Sequence, residues 1–240
     1  MKAQATQTSM TRGRRMHTGA RIACMAAACI ALPACSGGNA SKAASSPPRV
    51  AAATSVASGS SRAFVNNAWG FRIDVPTGWT LRRDFRSAYL ANAAWKTFAA
   101  PDSQGEPVLS LTMPGSNRIT DAEIRIGASR APAEVQRCTA PPSAVVAGSV
   151  AAQRIGGVAF ATFEARDAAM SHRLGVHAFR AVHDGACYAI DLLVFGVNPE
   201  VYDPPATPPF SDARAFDAMR AVIRTFAFDQ SAASASTAAR

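Results

Sequence analysis

The 240-residue sequence has no apolar run of about 18 residues, the length that a membrane-spanning helix needs. Only 17% of its residues are charged, and lysine occurs only at Lys2, Lys42 and Lys96. The phosphate-binding pattern Gly-x-x-x-x-Gly-Lys and the hydrolase pattern Gly-x-Ser-x-Gly are both absent from the sequence. These absences argue against a transmembrane protein, a P-loop nucleotide-binding enzyme and an α/β-hydrolase.

The formal net charge of +9 is concentrated at the start of the chain. Five of the 25 basic residues and none of the 16 acidic residues precede Cys35, so the remainder carries only about +4. This remainder has no block of Lys and Arg of the kind that binds phosphate backbones. The sequence therefore predicts no nucleic-acid partner.

The first 34 residues have the pattern of a secretory signal peptide. Residues 2–21 are polar and basic, and residues 22–34 are apolar and small, a stretch too short to span a bilayer. The ending Leu32-Pro33-Ala34-Cys35 resembles the lipobox of bacterial lipoproteins. This resemblance implies that the signal peptide is removed and that Cys35 becomes the lipidated N-terminus.

Acyl chains on Cys35 would make the membrane the first partner of this protein, because two chains suffice for stable anchoring. Ser36 follows the cysteine, and in Gram-negative lipoproteins a serine there implies the outer membrane, with the chain facing the periplasm. Whether the domain instead faces the cell surface is left open. Residues 35–61 are rich in Ser, Ala, Gly and Pro and predict a flexible tether of roughly 25–30 Å. Residues 230–240 predict a disordered tail.

One globular domain is expected over residues 62–229, which hold every aromatic residue of the mature chain. This domain keeps two cysteines, Cys138 and Cys187. Cysteines left in an oxidising compartment usually pair, and closing a loop of about 50 residues stabilises a fold by about 4 kcal/mol. A disulfide is therefore predicted, with two separate buried thiols as the alternative.

Alternating apolar and polar residues predict a series of strands joined by tight turns. The strands are expected near residues 70–75, 109–113, 122–128, 154–155, 158–165, 174–183, 187–195 and 226–228, and helices near 133–137 and 212–225. The strand at 187–195 is apolar on both faces apart from Asp191, which predicts a central position in the sheet. This order of elements predicts an α+β fold.

The segment from Gly70 to Trp79, the meander after it and the helix ending at Thr225-Phe226 together resemble one known family. The motif reads Gly70-Phe71-x-Ile73-x-Val75-Pro76-x-Gly78-Trp79. It resembles the PsbP-like domain of extrinsic photosystem II subunits, a yeast Ran-binding import factor and many bacterial lipoproteins. Over about residues 65–229, the resemblance implies an α/β/α sandwich around a mainly antiparallel sheet. It also implies adaptor or binding roles rather than catalysis, with no shared active site.

A proline-rich segment over residues 198–209 is the most unusual part of the domain. Loops of this kind on a rigid scaffold often carry recognition, so Tyr202, Asp203 and Phe210 are predicted to form an interaction surface. The alternative is a stiff crossover from strand to helix. A similar choice between core and surface patch stays open for four aromatic residues. They are Trp69, Trp79, Tyr89 and Trp95.

Three histidines, His172, His177 and His183, raise the question of a metal site. On one strand His172 and His177 face opposite sides, and His183 is six positions beyond His177, about 20 Å away. The spacing predicts no metal site and no cofactor, and no catalytic residue is assigned.

The function predicted is a non-enzymatic adaptor or binding module in the cell envelope, with an envelope protein as its unidentified partner. The alternatives are a small-ligand or metal-binding periplasmic lipoprotein and, less favoured, a hydrolase.

Overall fold

The structure is a computed structural model that describes residues 60–229. The predicted signal peptide over 1–34, the predicted lipidation site Cys35, nearly all of the predicted tether and the predicted tail lie outside the described residues. None of the described helices combines the length and the apolar character that crossing a bilayer requires.

The described part of the chain folds into strands with two α-helices between them. The strands are β1 (Ser61–Asn66), β2 (Phe71–Pro76), β3 (Thr80–Arg82), β4 (Glu106–Thr112), β5 (Thr120–Ser129), β6 (Ala151–Ile155), β7 (Val158–Ala169), β8 (His172–His183), β9 (Ala186–Val197) and β10 (Ala227–Phe228). The α-helices are α1 (Pro132–Gln136) and α2 (Asp212–Ile223), and a single 3-10 turn spans Pro199–Val201.

Both sheets are antiparallel throughout. The larger sheet has seven strands in the order β3-β4-β5-β9-β8-β7-β6, and the smaller sheet has three in the order β1-β2-β10. The strand predicted to be central, β9, lies between β5 and β8, and both of its faces are buried. The α+β prediction with a mainly antiparallel sheet is therefore confirmed.

The two faces of the larger sheet are covered differently. On one face, α2 and the smaller sheet enclose the main hydrophobic core, which includes Phe71, Leu109, Ile124, Phe160 and Met219. On the other face, a second apolar cluster joins β7, β8 and β9 to the irregular segment over residues 83–105 and to the chain after α1. The predicted sandwich thus has a substantial helix on one side and, on the other, mostly irregular chain with the five-residue α1.

The predicted hairpin turns are confirmed. Gly156-Gly157 joins β6 to β7 with φ values of +54° and +86°, and Asp184-Gly185 joins β8 to β9 with φ values of +46° and +70°. Two successive residues in the left-handed region match the twist of the flanking strands. The antiparallel pairing of β7 with β8 is also as predicted, but the position of their turn was not predicted, and Met170 lies in it with φ +58°.

Helix α2 confirms the predicted cap and apolar stripe. The Ser211 hydroxyl accepts a hydrogen bond from the Arg214 N–H at 3.3 Å, which satisfies one of the free donors at the helix start. Phe216, Met219 and Ile223 are buried on the core side, as their helical spacing predicts. The helix ends at Ile223, two residues before the predicted end.

Four charged residues form a buried row across three strands of the larger sheet. Glu123 and Arg125 lie on β5, Asp191 lies opposite Arg125 on β9, and Arg180 lies on β8. Arg125 Nε contacts Glu123 at 2.9 Å and Arg180 Nη1 contacts Asp191 at 2.7 Å, with each side chain at most 7% exposed. Burial raises the pKa of Glu123, and the Arg125 guanidinium opposes that rise.

This charged row holds the irregular segment over residues 83–105 against the sheet. Arg125 donates to the backbone carbonyls of Arg86 and Asn92 at 2.6 and 2.8 Å, and Asp191 accepts from the Thr97 N–H at 2.8 Å. A segment without its own regular structure leaves backbone groups unpaired, and these charged side chains satisfy some of them. The sheet therefore supplies the order that the segment's own sequence does not encode.

Two short strands were missed in the sequence. In β1, which begins at the last residue of the predicted tether, only Phe64 is buried, so the strand shows no clear alternation. In β3, three residues are too few to show a period. Both strands lie at sheet edges, where long-range pairing rather than local pattern determines the structure.

Candidate functional site

The structure separates the three residues predicted to form one interaction surface. Asp203 is exposed and Tyr202 is half-buried, but Phe210 is only 8% exposed and belongs to the main core. The expectation that Phe210 contributes to an exposed surface therefore does not fit the structure. The residue directly precedes the Ser211 cap, a position where an apolar side chain commonly packs against the first turns of the helix. Recognising that motif would have placed Phe210 in the core.

The remaining aromatic residues divide between core and surface. Trp69 and Trp95 are buried, and Trp79 is partly buried against the main core. Tyr89 is 63% exposed, and its ring lies 4.6 Å from the His172 ring, centroid to centroid. The aromatic patch left open by the sequence is thus limited to Tyr89 and its neighbours.

Three loops, which carry Tyr89, Met170 and Val201, meet at one end of the larger sheet, and each exposes a large apolar side chain. Met170 at the β7–β8 hairpin is 92% exposed, and Val201 in the proline-rich segment is 54% exposed. The Asn198 N–H donates to the Ser171 carbonyl at 2.8 Å, which joins the proline-rich segment to the hairpin. We call Tyr89, Met170, Val201 and Tyr202, with the basic residues beside them, the loop-end surface.

The basic residues of the loop-end surface are Arg118 and His172. The Arg118 guanidinium lies 5.4 Å from the centre of the Tyr202 ring, and His172 packs on Tyr89. Arg118 and His172 also line a small cavity of about 210 Å³ together with Tyr89. Aromatic and arginine side chains in partly exposed positions are the types that most often dominate binding between proteins.

Cys138 and Cys187 form the predicted disulfide, with Cα atoms 5.5 Å apart. The bond links the chain just after α1 to the start of β9 and packs with Trp95 and Ala189. Two separate thiols, the alternative considered from the sequence, are not what the structure contains. The disulfide lies in the layer that covers one face of the sheet, where it stabilises irregular chain.

A cleft of about 730 Å³ runs along α2 where the helix leaves strands β7 and β8 uncovered. This volume lies within the range of small-molecule sites. Gly175 on β8 lets the Phe216 ring approach the strand, since a Cβ at that position would lie 3.3 Å from the ring. The Phe216 ring in turn stacks on His177, with ring centroids 3.9 Å apart and planes at 13°.

His177 joins the two walls of the cleft. Arg220 on α2 lies with Nη2 2.7 Å from His177 Nδ1. Because a guanidinium can only donate, His177 Nδ1 accepts, and the ring proton is on Nε2. That nitrogen lies 3.6 Å from a Glu164 carboxylate oxygen on β7. Burial lowers the pKa of His177, Arg220 and Arg166 lower it further, and Glu164 opposes them.

The other charges of the cleft are mostly paired. Arg173 contacts Asp212 at 2.6 Å and Arg220 contacts Asp217 at 3.0 Å. Arg166 lines the cleft on β7, and within residues 60–229 no carboxylate lies within 4 Å of its guanidinium nitrogens. Asp167 also lines the cleft and has no cation within 4 Å in the described residues, but it alternates with Arg166 and pairs with Leu174, so it projects from the opposite face of the sheet. On the face that α2 covers, the cleft offers a guanidinium and a carboxylate without strong partners, beside an aromatic floor.

Each of the three clustered histidines packs against an aromatic ring. His172 packs on Tyr89, His177 on Phe216, and His183 on Phe228 with ring centroids 4.0 Å apart. In the described part of the chain, no three side chains of the metal-binding types come together. Two sequence signals had separated the histidines: the opposite parity of His172 and His177 along β8, and the six-residue distance from His177 to His183.

No protein-family model matches the chain, and no curated protein matches it. Solved structures similar to it include a cyanobacterial PsbP from Synechocystis, at 11% identity, covering 75% of this chain and 98% of that protein, with a TM-score of 0.38. LpqN from Mycobacterium tuberculosis, described as involved in cell envelope biogenesis, matches at 11% identity over 66% and 83% of the two chains, with a TM-score of 0.34.

A Bacteroides thetaiotaomicron protein also matches at 11% identity over 70% of this chain, with a TM-score of 0.36. The match spans about half of that protein's length, 48%. The chain thus has PsbP-like neighbours among solved structures. At these identities and TM-scores the likenesses concern the fold alone.

Proposed function

We propose that the chain is an envelope lipoprotein, anchored through Cys35 at the outer membrane, whose domain over residues 62–229 is a non-enzymatic adaptor for a partner protein. The loop-end surface is the observation that carries the adaptor role. Tyr89, Met170 and Val201 account for three of the six large apolar side chains that are well exposed in the described chain. Their concentration at one end favours a contact site over random exposure.

The loop-end surface also has the support that a recognition site needs. Its loops are held by the hydrogen bond between Asn198 and Ser171 and by the packing of Tyr89 against His172. The strands beneath it, β5, β8 and β9, are paired along their full lengths. A surface held in this way loses little conformational freedom on binding, which favours affinity. The loop-end surface fits a partner protein with an apolar pocket that receives Met170 and Tyr89.

Small-ligand binding is a second candidate function, favoured by the cleft along α2. Its volume and its mixture of aromatic floor and charged walls are those of small-molecule sites. The two candidate roles use different groups, since the cleft is lined by Phe216, His177 and Arg220 rather than by Tyr89 or Tyr202.

The anchor predicts a change of location in a Cys35→Ala variant. Without the thiol no diacylglyceryl group can be attached, so the protein should move almost completely from the membrane fraction to the soluble periplasmic fraction. Fractionation of cells after a high-salt wash measures this distribution. Cys35→Ser should behave in the same way, and a Cys35→Ala protein that still pellets with membranes would exclude lipid anchoring through this residue.

The adaptor role predicts site-specific photo-crosslinking in intact cells. A photoreactive phenylalanine derivative placed at Tyr89, Met170 or Tyr202 of the lipidated chain should give the same crosslinked partner from all three positions. Val150, another well-exposed apolar residue, lies outside the loop-end surface and is the matched control position. The partner should be absent from the Val150 sample, and its yield from Met170 should fall severalfold when Tyr202→Ala is added. Equal crosslinks from Val150, or none from the three surface positions, would contradict the proposal.

A further inference from the structure

Two charged residues on β7 remain available to a ligand in the cleft. Glu164 and Arg166 are two positions apart on the strand, so both project from the same face of the sheet. They pair in register with His177 and Gly175 on β8, which places both of them beside the aromatic floor. Within the described residues the Glu164 carboxylate has only His177, at 3.6 Å, as a basic neighbour within 4 Å, and Arg166 has no carboxylate partner.

The backbone spacing of these two residues suits a particular ligand length. Residues two apart on a strand lie roughly 7 Å apart, and two extended residues of a peptide span about 7 Å. A free dipeptide carries an ammonium group at one end and a carboxylate at the other, at about this separation. A carboxylate such as Glu164 binds the former, and a guanidinium such as Arg166 binds the latter in a two-pronged contact.

The remaining surface of the cleft suits an apolar ligand body. The edge of Phe216, the absence of a side chain at Gly175 and the methyl groups of Ala168 and Ala213 form its uncharged lining. The neighbouring ion pairs Arg173–Asp212 and Arg220–Asp217 are neutral as pairs. Apart from Asp167, which projects from the opposite face of β7, the charges that line the cleft balance, and this disfavours a ligand carrying a large net charge of either sign.

We infer that the cleft along α2 binds a small zwitterionic ligand of the free dipeptide class, with its ammonium group at Glu164, its carboxylate at Arg166 and an apolar side chain on Phe216. This inference rests on the second candidate function, ligand binding, and is independent of the adaptor role. Photo-crosslinking from Tyr89 tests the adaptor role separately, so failure of one proposal is distinguishable from failure of the other.

Isothermal titration calorimetry of the lipidated full mature chain in detergent tests the inference. The probes are a panel of free dipeptides, Ala-Ala, Ala-Leu and Ala-Phe, with the N-acetylated and C-amidated form of each. We expect saturable binding of at least one free dipeptide, weakened about tenfold or more when either end is blocked, because each block removes one charge-assisted contact.

Variants assign each end of the ligand to its residue. Glu164→Gln should weaken binding of the free dipeptide about tenfold or more but leave binding of the N-acetylated form unchanged. Arg166→Gln should likewise weaken binding of the free dipeptide but leave binding of the C-amidated form unchanged. Glu200→Gln and Arg62→Gln are matched exposed controls outside the cleft and should bind like the unmodified chain. Unchanged thermal unfolding temperatures will establish that the variants are folded. Absence of saturable binding across the panel, equal binding of free and blocked forms, or equal losses in the control variants would overturn the inference.

Discussion

An Arg180→Met variant is expected to lose about 3–5 kcal/mol of unfolding free energy, because it leaves the buried Asp191 carboxylate without its cation. Arg180 and Asp191 contact each other at 2.7 Å with side chains 3% and 2% exposed. Arg125, which lies opposite Asp191 on β5, already contacts Glu123 and two backbone carbonyls. Since small domains are stable by about 5–15 kcal/mol in total, this is a large share. Urea unfolding at neutral pH of the Cys35→Ala chain, with and without Arg180→Met, measures it.

Two further variants distinguish the effect of the unpaired buried charge on stability from the effect of lost packing contacts. Arg62→Met removes an exposed arginine from β1 and should change stability by less than about 0.5 kcal/mol. Adding Asp191→Leu to Arg180→Met removes the unpaired carboxylate and should recover much of the loss, although the Thr97 N–H then lacks its acceptor. A double variant that is no more stable than Arg180→Met alone would show that the cost comes from packing and not from the buried charge.

The regular elements of the domain could be predicted because their signals are local. The strand pattern at 187–195, the turn residues Gly156-Gly157 and the cap at Ser211 each act within a few residues, and each is found as predicted. The irregular layer over residues 83–105 could not be predicted in this way. Its conformation depends on Arg125 and Asp191, which are distant in the sequence and become neighbours only when β5 pairs with β9.

The candidate sites show the same division between local and long-range signals. The proline-rich segment was recognised from its composition, and Tyr202 and Asp203 do lie at the surface. The partners of that segment, Met170 and Tyr89, come from two other loops, and nothing in their local sequence points to Tyr202. The cleft likewise forms only where β7 lies beside α2, and about 45 residues of chain separate these two elements. Asp191 was noted in the sequence as the one charge of an apolar strand, but its buried partner Arg180 could not be identified from the sequence.

Reduction of the Cys138–Cys187 disulfide is expected to lower the unfolding free energy by about 4 kcal/mol. The bond closes a loop with a sequence separation of 49, and in the chain-entropy model a loop of that size restricts the unfolded state by about this amount. Urea unfolding of the Cys35→Ala chain with and without reductant measures the difference. A Cys138→Ala/Cys187→Ala variant should show the lower stability and no response to reductant.

The disulfide lies in the irregular layer, and this position determines which parts of the domain should lose protection when the bond is reduced. Cys138 and Trp95 pack together over β9, so the reduced chain should lose protection first in the irregular layer and in α1. The pairing of β8 with β9 and the core beneath α2 do not depend on that layer and should stay protected from hydrogen exchange. Uniform loss of protection across both faces would instead mean that the two layers unfold as one cooperative unit. The irregular layer would then be as necessary to the fold as the core, because without it the buried charges of β5, β8 and β9 would meet water.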